Sequence, residues 1–187
     1  MPKLKHIKAT LLIIFIWVVL YVINIFVDLI PTLSGRGFNL MNGEYYRIIT
    51  CALLHTDFLH LLANCLALYW IGYYLECNIG SGKFLLFALV AYIASETVFF
   101  SIFRDAENSF GGSSITFALI GLILILQFAK PVFPKLKLGT WYGNWIVFYS
   151  VLGNIPILPF MDFSTVVIHL VSFSIGAVLG IPFRFMI

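Results

Sequence analysis

The sequence predicts an all-α polytopic membrane protein of six spans, and three observations carry that expectation. Of the 187 residues, 61% are hydrophobic and only 10% are charged. A soluble domain of this size cannot bury so much apolar surface, so the bilayer is the solvent this composition calls for. The apolar residues fall into separate runs rather than one, and the basic residues gather on alternate connections between them. The formal net charge of +3 needs no nucleic-acid partner, because its distribution fits membrane orientation.

Taken in order, the spans fall at about 9–29, 56–77, 84–103, 113–129, 143–160 and 164–184. The first run follows Lys3, Lys5 and Lys8 as a signal peptide would. It is too long for an h-region and has no small-residue cleavage site, so a retained span is expected. With the N-terminus in the cytoplasm, Lys3, Lys5, Lys8, Lys83, Lys130, Lys135, Lys137 and Arg184 lie inside. Arg36, Arg47 and Arg104 lie outside. The excess of basic residues inside selects an N-in, C-in arrangement. Between the first two spans, Pro31–Thr50 forms a long external connection, of the kind that is often functional or embedded in the interface. No repeat, linker or low-complexity tract interrupts the chain, so 1–187 reads as a single domain. Cys51, Cys65 and Cys77 are odd in number and lie in or beside apolar segments, as small buried hydrophobes do.

The stretch Phe110–Gly121, FGGSSITFALIG, places two glycines and two serines at the entrance of the fourth span. Glycines there permit close backbone approach and expose amide N–H groups. A serine beside those donors is one way to assemble a nucleophile with part of an oxyanion hole. Small residues also pack membrane helices together, and in isolation that reading is the commoner one.

The depth of the other polar residues bears on the choice, since ionisable groups in a bilayer are expensive unless they face protein or water. His60 and Asn64 are spaced i,i+4 on one face of the second span, about 6 and 12 Å below its outer end. His169 lies about 8 Å into the sixth span from the same side. The fourth span is the shortest, about 25 Å against a core of about 30 Å, so its Ser113 end is recessed. Three helices thus bring Ser113, His169, His60 and Asn64 to one depth. Each has a plainer alternative as interhelical glue or as a core histidine bonded to a carbonyl. Glu96 is expected in a structural role, capped by neighbouring hydroxyls. His55, at the outer interface, is expected to face water. Asp162 lies seven residues before His169, about 10 Å away along a helix and too far for a direct bond.

These residues resemble the rhomboid intramembrane serine proteases, over nearly the whole chain from Gly43 onward. Tyr46-Arg47 in GEYYRIIT stands where the family commonly has Trp-Arg. The helix ALLHTDFLHLLANCLALYWIGYYLE is similar to its H-x-x-x-N segment ending in G-x-x-x-E, and an IGSGK turn follows. GGSSITFALIG resembles G-x-S-G-x-x-[FY]-x-L-x-G, and IHLVSFSIGAVLG resembles A-H-x-x-G-x-x-x-G. The resemblance implies Ser113 as nucleophile and His169 as general base. His60, Asn64 and the Ser113 N–H would form the oxyanion hole. Phe117 would stack on His169, and Gly112 and Phe117 would border the bound substrate. Register favours Ser113 over Ser114, because Phe117 and Gly121 then stand four and eight residues on, as the pattern asks. Ser114, Ser172 and Ile168 depart from it.

The implied activity is hydrolysis of peptide bonds in or near transmembrane segments by a Ser-His dyad, in a wet cavity near the outer face. No metal or cofactor is called for. The partners would be transmembrane protein substrates and membrane lipid, the location a bacterial plasma membrane, and the oligomeric state is open. The main rival is an inactive rhomboid-like protein that binds transmembrane helices. A transporter would spread its polar groups through the bilayer depth. A zinc protease would need HExxH, which is absent.

Overall fold

The computed structural model describes residues 7–106, 108–129, 131–155 and 162–187. Among these the chain is helical, and the one β feature is an isolated antiparallel bridge between Gly35 and Ser109. Four helices are long and apolar enough to cross a membrane: α1 (Lys8–Phe26), α5 (Phe58–Ile79), α6 (Ser81–Ile102) and α9 (Phe163–Phe183). Between them lie short helices α2 (Ile30–Leu33), α3 (Gly37–Met41) and α4 (Arg47–Thr50), then the 17-residue α7 (Ser113–Ala129) and the 12-residue α8 (Trp141–Leu152).

Helix α7 is apolar on every side, and that pattern belongs in a core. Its residues from Ser113 to Ile123 are all buried. It lies against α9 so closely that the two backbones touch. A Cβ on Gly121 would stand 2.2 Å from the Phe173 carbonyl oxygen, and one on Gly176 would stand 2.0 Å from that of Ala118. Helix α1 packs against α5 in a similar way, with the Thr10 hydroxyl 1.9 Å from where a Gly72 Cβ would sit. Its outer face leaves Phe15 and Phe26 exposed, as a lipid-facing surface does.

The start of α1 is fixed by Glu76, at the end of α5. Its carboxylate accepts from the Ala9 N–H at 2.8 Å, the Thr10 N–H at 2.9 Å, the Thr10 hydroxyl at 2.7 Å and the Ser81 hydroxyl at 2.6 Å. The first N–H groups of a helix have no partner inside it, and an acidic group there also opposes the helix dipole. Glu76→Ala strands those donors at about 1–3 kcal/mol for each buried group left unpaired. The thermal unfolding midpoint in detergent is expected to fall by several degrees, and by less in Glu76→Gln, which keeps an accepting oxygen.

The long connection after α1 is built rather than loose. Buried Arg47 bonds to Glu44 at 2.5 Å, to the Ser34 carbonyl at 2.9 Å and to the Pro31 carbonyl at 3.0 Å. Gly37 lies on the backbone of Arg104, whose carbonyl oxygen would be 2.0 Å from a Cβ there. This connection is therefore tied to the segment leading into α7, and so helps position the site.

The fifth apolar run forms a shorter helix than the expected 143–160. It starts at Trp141 behind the Thr140 cap and ends at Leu152. At that end the Asn154 amide bonds back to the Ser150 carbonyl at 2.7 Å, and Ile155 N–H turns back to Leu152. The rest of that run, 156–160, lies outside the described residues, as do Lys3, Lys5 and Lys130 of the charge count.

Candidate active site

Ser113, His60, Asn64 and His169 line one cavity of about 90 Å³, whose other walls come from Ala63 of α5 and from Trp145, Phe148, Tyr149 and Leu152 of α8. Ser113 and His60 also line a larger cavity of about 720 Å³, bordered by Arg104, Asp105, Asn108 and Asp162. Ser113 thus stands between an apolar recess and a polar, roomier space.

His169 is 4% exposed. Its Nδ1 lies 2.5 Å from the Gly153 carbonyl oxygen. A carbonyl only accepts, so Nδ1 carries the proton and Nε2 presents a lone pair. Nε2 is buried with no hydrogen-bond partner among the described residues. The Phe117 ring stacks on the imidazole, with centroids 4.1 Å apart and planes inclined at 17°. A carbonyl on one side and a ring on one face fix both tautomer and plane. Asp162 has other work: it caps α9, accepting from the Thr165 N–H at 2.8 Å and from the Ser164 and Thr165 hydroxyls. Those bonds outweigh its partial burial and hold its carboxyl below the usual range.

His60 lies against Gly111, where a Cβ would come within 2.7 Å of His60 Cε1. Gly111 also has φ +117°, so both the backbone and the space there demand glycine. Gly112 presents its α-carbon to α1: a Cβ would meet the Trp17 ring at 1.9 Å, and Gly111 rather than Gly112 lines the cavity. The Ser113 N–H is among the first of α7 and has no acceptor within the helix.

His55 differs from its expected exposure to water. It is 0% exposed, covered by Trp17 at 5.2 Å and set edge-on to His60 at 5.1 Å. Its Nε2 receives the Gly112 N–H at 3.4 Å and lies 3.0 Å from Asn64 Nδ2. Nε2 accepts from a backbone donor, so the Asn64 contact must be made by the amide NH₂. The Asn64 Oδ1 then accepts the Tyr149 hydroxyl at 2.6 Å. The nearness of His55 to His60 and Asn64 in sequence was the one available sign of this role.

Ser114 points elsewhere than its neighbour. Its hydroxyl donates to Glu96 Oε1 at 2.6 Å, with both residues buried. The hydroxyl that meets Glu96 therefore comes from α7, whereas the Ser95 and Thr97 hydroxyls beside it donate to the Ala91 and Ile93 carbonyls of their own helix. Ser172 is fully buried where α9 meets α7, and its Oγ has no partner among the described residues. A serine is therefore tolerated there without disturbing the glycine contacts that bring the two helices together. No group of three or more His, Cys, Asp or Glu able to hold a metal occurs among the described residues.

These features define an integral membrane protein whose serine and histidine, on two closely packed helices, face a common cavity. A family model, the Rhomboid domain, matches residues 42–184, and the chain belongs to the rhomboid family. It is 32% identical over 142 residues to Rhomboid protease GluP of Bacillus subtilis (strain 168), covering 75% of this chain and 27% of that protein. It is 29% identical over 140 residues to RHOMBOID-like protein 1 of Arabidopsis thaliana, covering 75% of this chain and 35% of that one. The chain thus spans only about a third or less of the length of these two relatives.

Proposed function

We propose that the chain is an intramembrane serine endopeptidase that cleaves peptide bonds in or near transmembrane segments of membrane proteins. The observation that carries this reading is the state of His169: Nδ1 is committed to the Gly153 carbonyl, which leaves the Nε2 lone pair in the cavity that Ser113 lines. A serine hydroxyl needs such a base to become a nucleophile.

In this mechanism Ser113 Oγ attacks the scissile carbonyl while His169 Nε2 takes its proton. The oxyanion that forms is held by the Ser113 N–H, His60 and the Asn64 amide, donors fixed before the charge develops. His169 then gives the proton to the leaving amine. A water, deprotonated by the same nitrogen, attacks the acyl-enzyme, and His169 returns that proton to Ser113 Oγ as the acid product leaves. The larger cavity, with Arg104, Asp105 and Asp162 at its walls, supplies a polar route for that water. Phe117 keeps the imidazole in plane, and Gly112 lets α7 begin close against Trp17. The dyad requires no carboxylate and no cofactor.

The reading extends to a single six-span domain over 1–187, N-in and C-in, in a bacterial plasma membrane, with transmembrane proteins as substrates and lipid as surroundings. Two of the six crossings would be made by α7 and the run beginning with α8. Reporter fusions at residues 2 and 187 are both expected to read cytoplasm, and an external signal at either end would refute this topology.

A fluorophosphonate probe tests the chemistry directly. It should label the parent chain and leave Ser113→Ala unlabelled. A folded parent that takes no label would instead favour a relative that binds transmembrane helices without cutting them.

A further inference from the structure

We infer that Tyr149 is a positioning residue for the oxyanion site, holding the Asn64 carboxamide in the orientation in which it donates. The inference rests on the protease reading above. An asparagine amide has an accepting edge and a donating edge, and only the NH₂ edge can stabilise an oxyanion. A half-turn about its last torsion would present oxygen to the developing negative charge. Two partners here oppose that turn. His55 Nε2, already accepting from the Gly112 N–H, takes one N–H of the Asn64 amide. The Tyr149 hydroxyl donates to Asn64 Oδ1 at 2.6 Å from the other side. One amide N–H remains, on a side chain that lines the cavity with Ser113. After the half-turn Oδ1 would meet the lone pair of His55 Nε2.

Tyr149 is suited to this by where it is held. It sits on α8 and is 8% exposed, with its hydroxyl 3.4 Å from Thr116 Oγ1. Its ring lies 5.4 Å from Phe117 at 33°, and Phe117 is the ring stacked on His169. One side chain therefore touches both halves of the site: its hydroxyl sets the oxyanion donor, and its ring backs the residue that orients the base. The two contributions are separable, because Tyr149→Phe deletes the hydroxyl and leaves the ring.

The test is a double-mutant cycle on turnover per folded molecule, with a single-span fusion protein as substrate in proteoliposomes. Loss of an oxyanion donor costs about 10²–10³ in kcat, and a donor left in place but free to turn loses part of that. Tyr149→Phe is expected to lower kcat about 10-fold with KM within about two-fold, and to have no further effect in an Asn64→Ala background. A parental kcat in Tyr149→Phe overturns the inference. So does an equal proportional loss with and without Asn64, or a loss explained by the folded fraction in thermal unfolding. A parent that neither cleaves the reporter nor takes a fluorophosphonate at Ser113 overturns the protease reading and this inference with it. A cleaving parent with an indifferent Tyr149→Phe overturns this inference alone.

Discussion

Ser113→Ala should abolish cleavage of a transmembrane reporter, by at least about 10³-fold, while Ser114→Ala keeps most of the specific activity. The two serines are adjacent at the start of α7, and their environments separate them. Ser113 lines the cavity that also holds His169. The Ser114 hydroxyl donates a hydrogen bond to Glu96 Oε1 at 2.6 Å, and Ser114 does not line the cavity that holds His169. Removing the Ser114 hydroxyl leaves a buried carboxyl without its donor, at about 1–3 kcal/mol, so that variant should lose thermal stability rather than chemistry. His169→Ala should fall with Ser113→Ala, and the pair together should be no worse than either, since base and nucleophile act as one unit. Turnover per folded molecule, measured beside the unfolding midpoint, checks all of this. Activity in Ser113→Ala equal to the parent's would remove the nucleophile from the proposal.

Much of this arrangement was legible in the sequence because it lies on helix faces. His60 and Asn64 line one cavity with Ser113 and His169, and their i,i+4 spacing depends only on residues per turn and rise per residue. Those quantities hold whatever the neighbours are. What escaped is what helices bring together from far apart. His55 precedes the Asp57 cap of α5, where no periodicity applies, so nearness to the interface argued for water. Trp17, on α1, covers it instead. Nothing in the apolar run 143–160 singles out Tyr149, and only the packing of α8 beside α5 puts its hydroxyl on Asn64. The short α8 had a visible cause. Gly153-Asn154 followed by Pro156 is a stop signal in sequence, and a hydropathy window averages across it.

The tight seam between α7 and α9 carries the second large effect. Gly176→Ala is expected to lower the unfolding midpoint steeply and to remove activity from whatever remains folded, while Gly180→Ala, one turn further along α9, is nearly silent. At Gly176 a Cβ would meet the Ala118 carbonyl oxygen at 2.0 Å and its carbonyl carbon at 2.6 Å. These are backbone atoms inside a buried helix and cannot rotate away, so the helices must part. At Gly180 the nearest atoms belong to the Ile125 and Leu122 side chains at 3.3 Å, which yield by a few tenths of an ångström. Overpacking that forces backbone shifts costs about 1–3 kcal/mol and occasionally more. The consequence for chemistry follows from the same seam. Ser113 is carried by α7 and His169 by α9, so a wedge between the helices separates the nucleophile from its base even where the fold survives. A displacement of about 1 Å can cost 10²-fold in rate. Gly176→Ala should thus show lowered kcat per folded molecule as well as lowered stability, and thermal unfolding with reporter cleavage reads both. Parental stability and turnover in Gly176→Ala would show that the seam is not the element that sets the distance between serine and histidine.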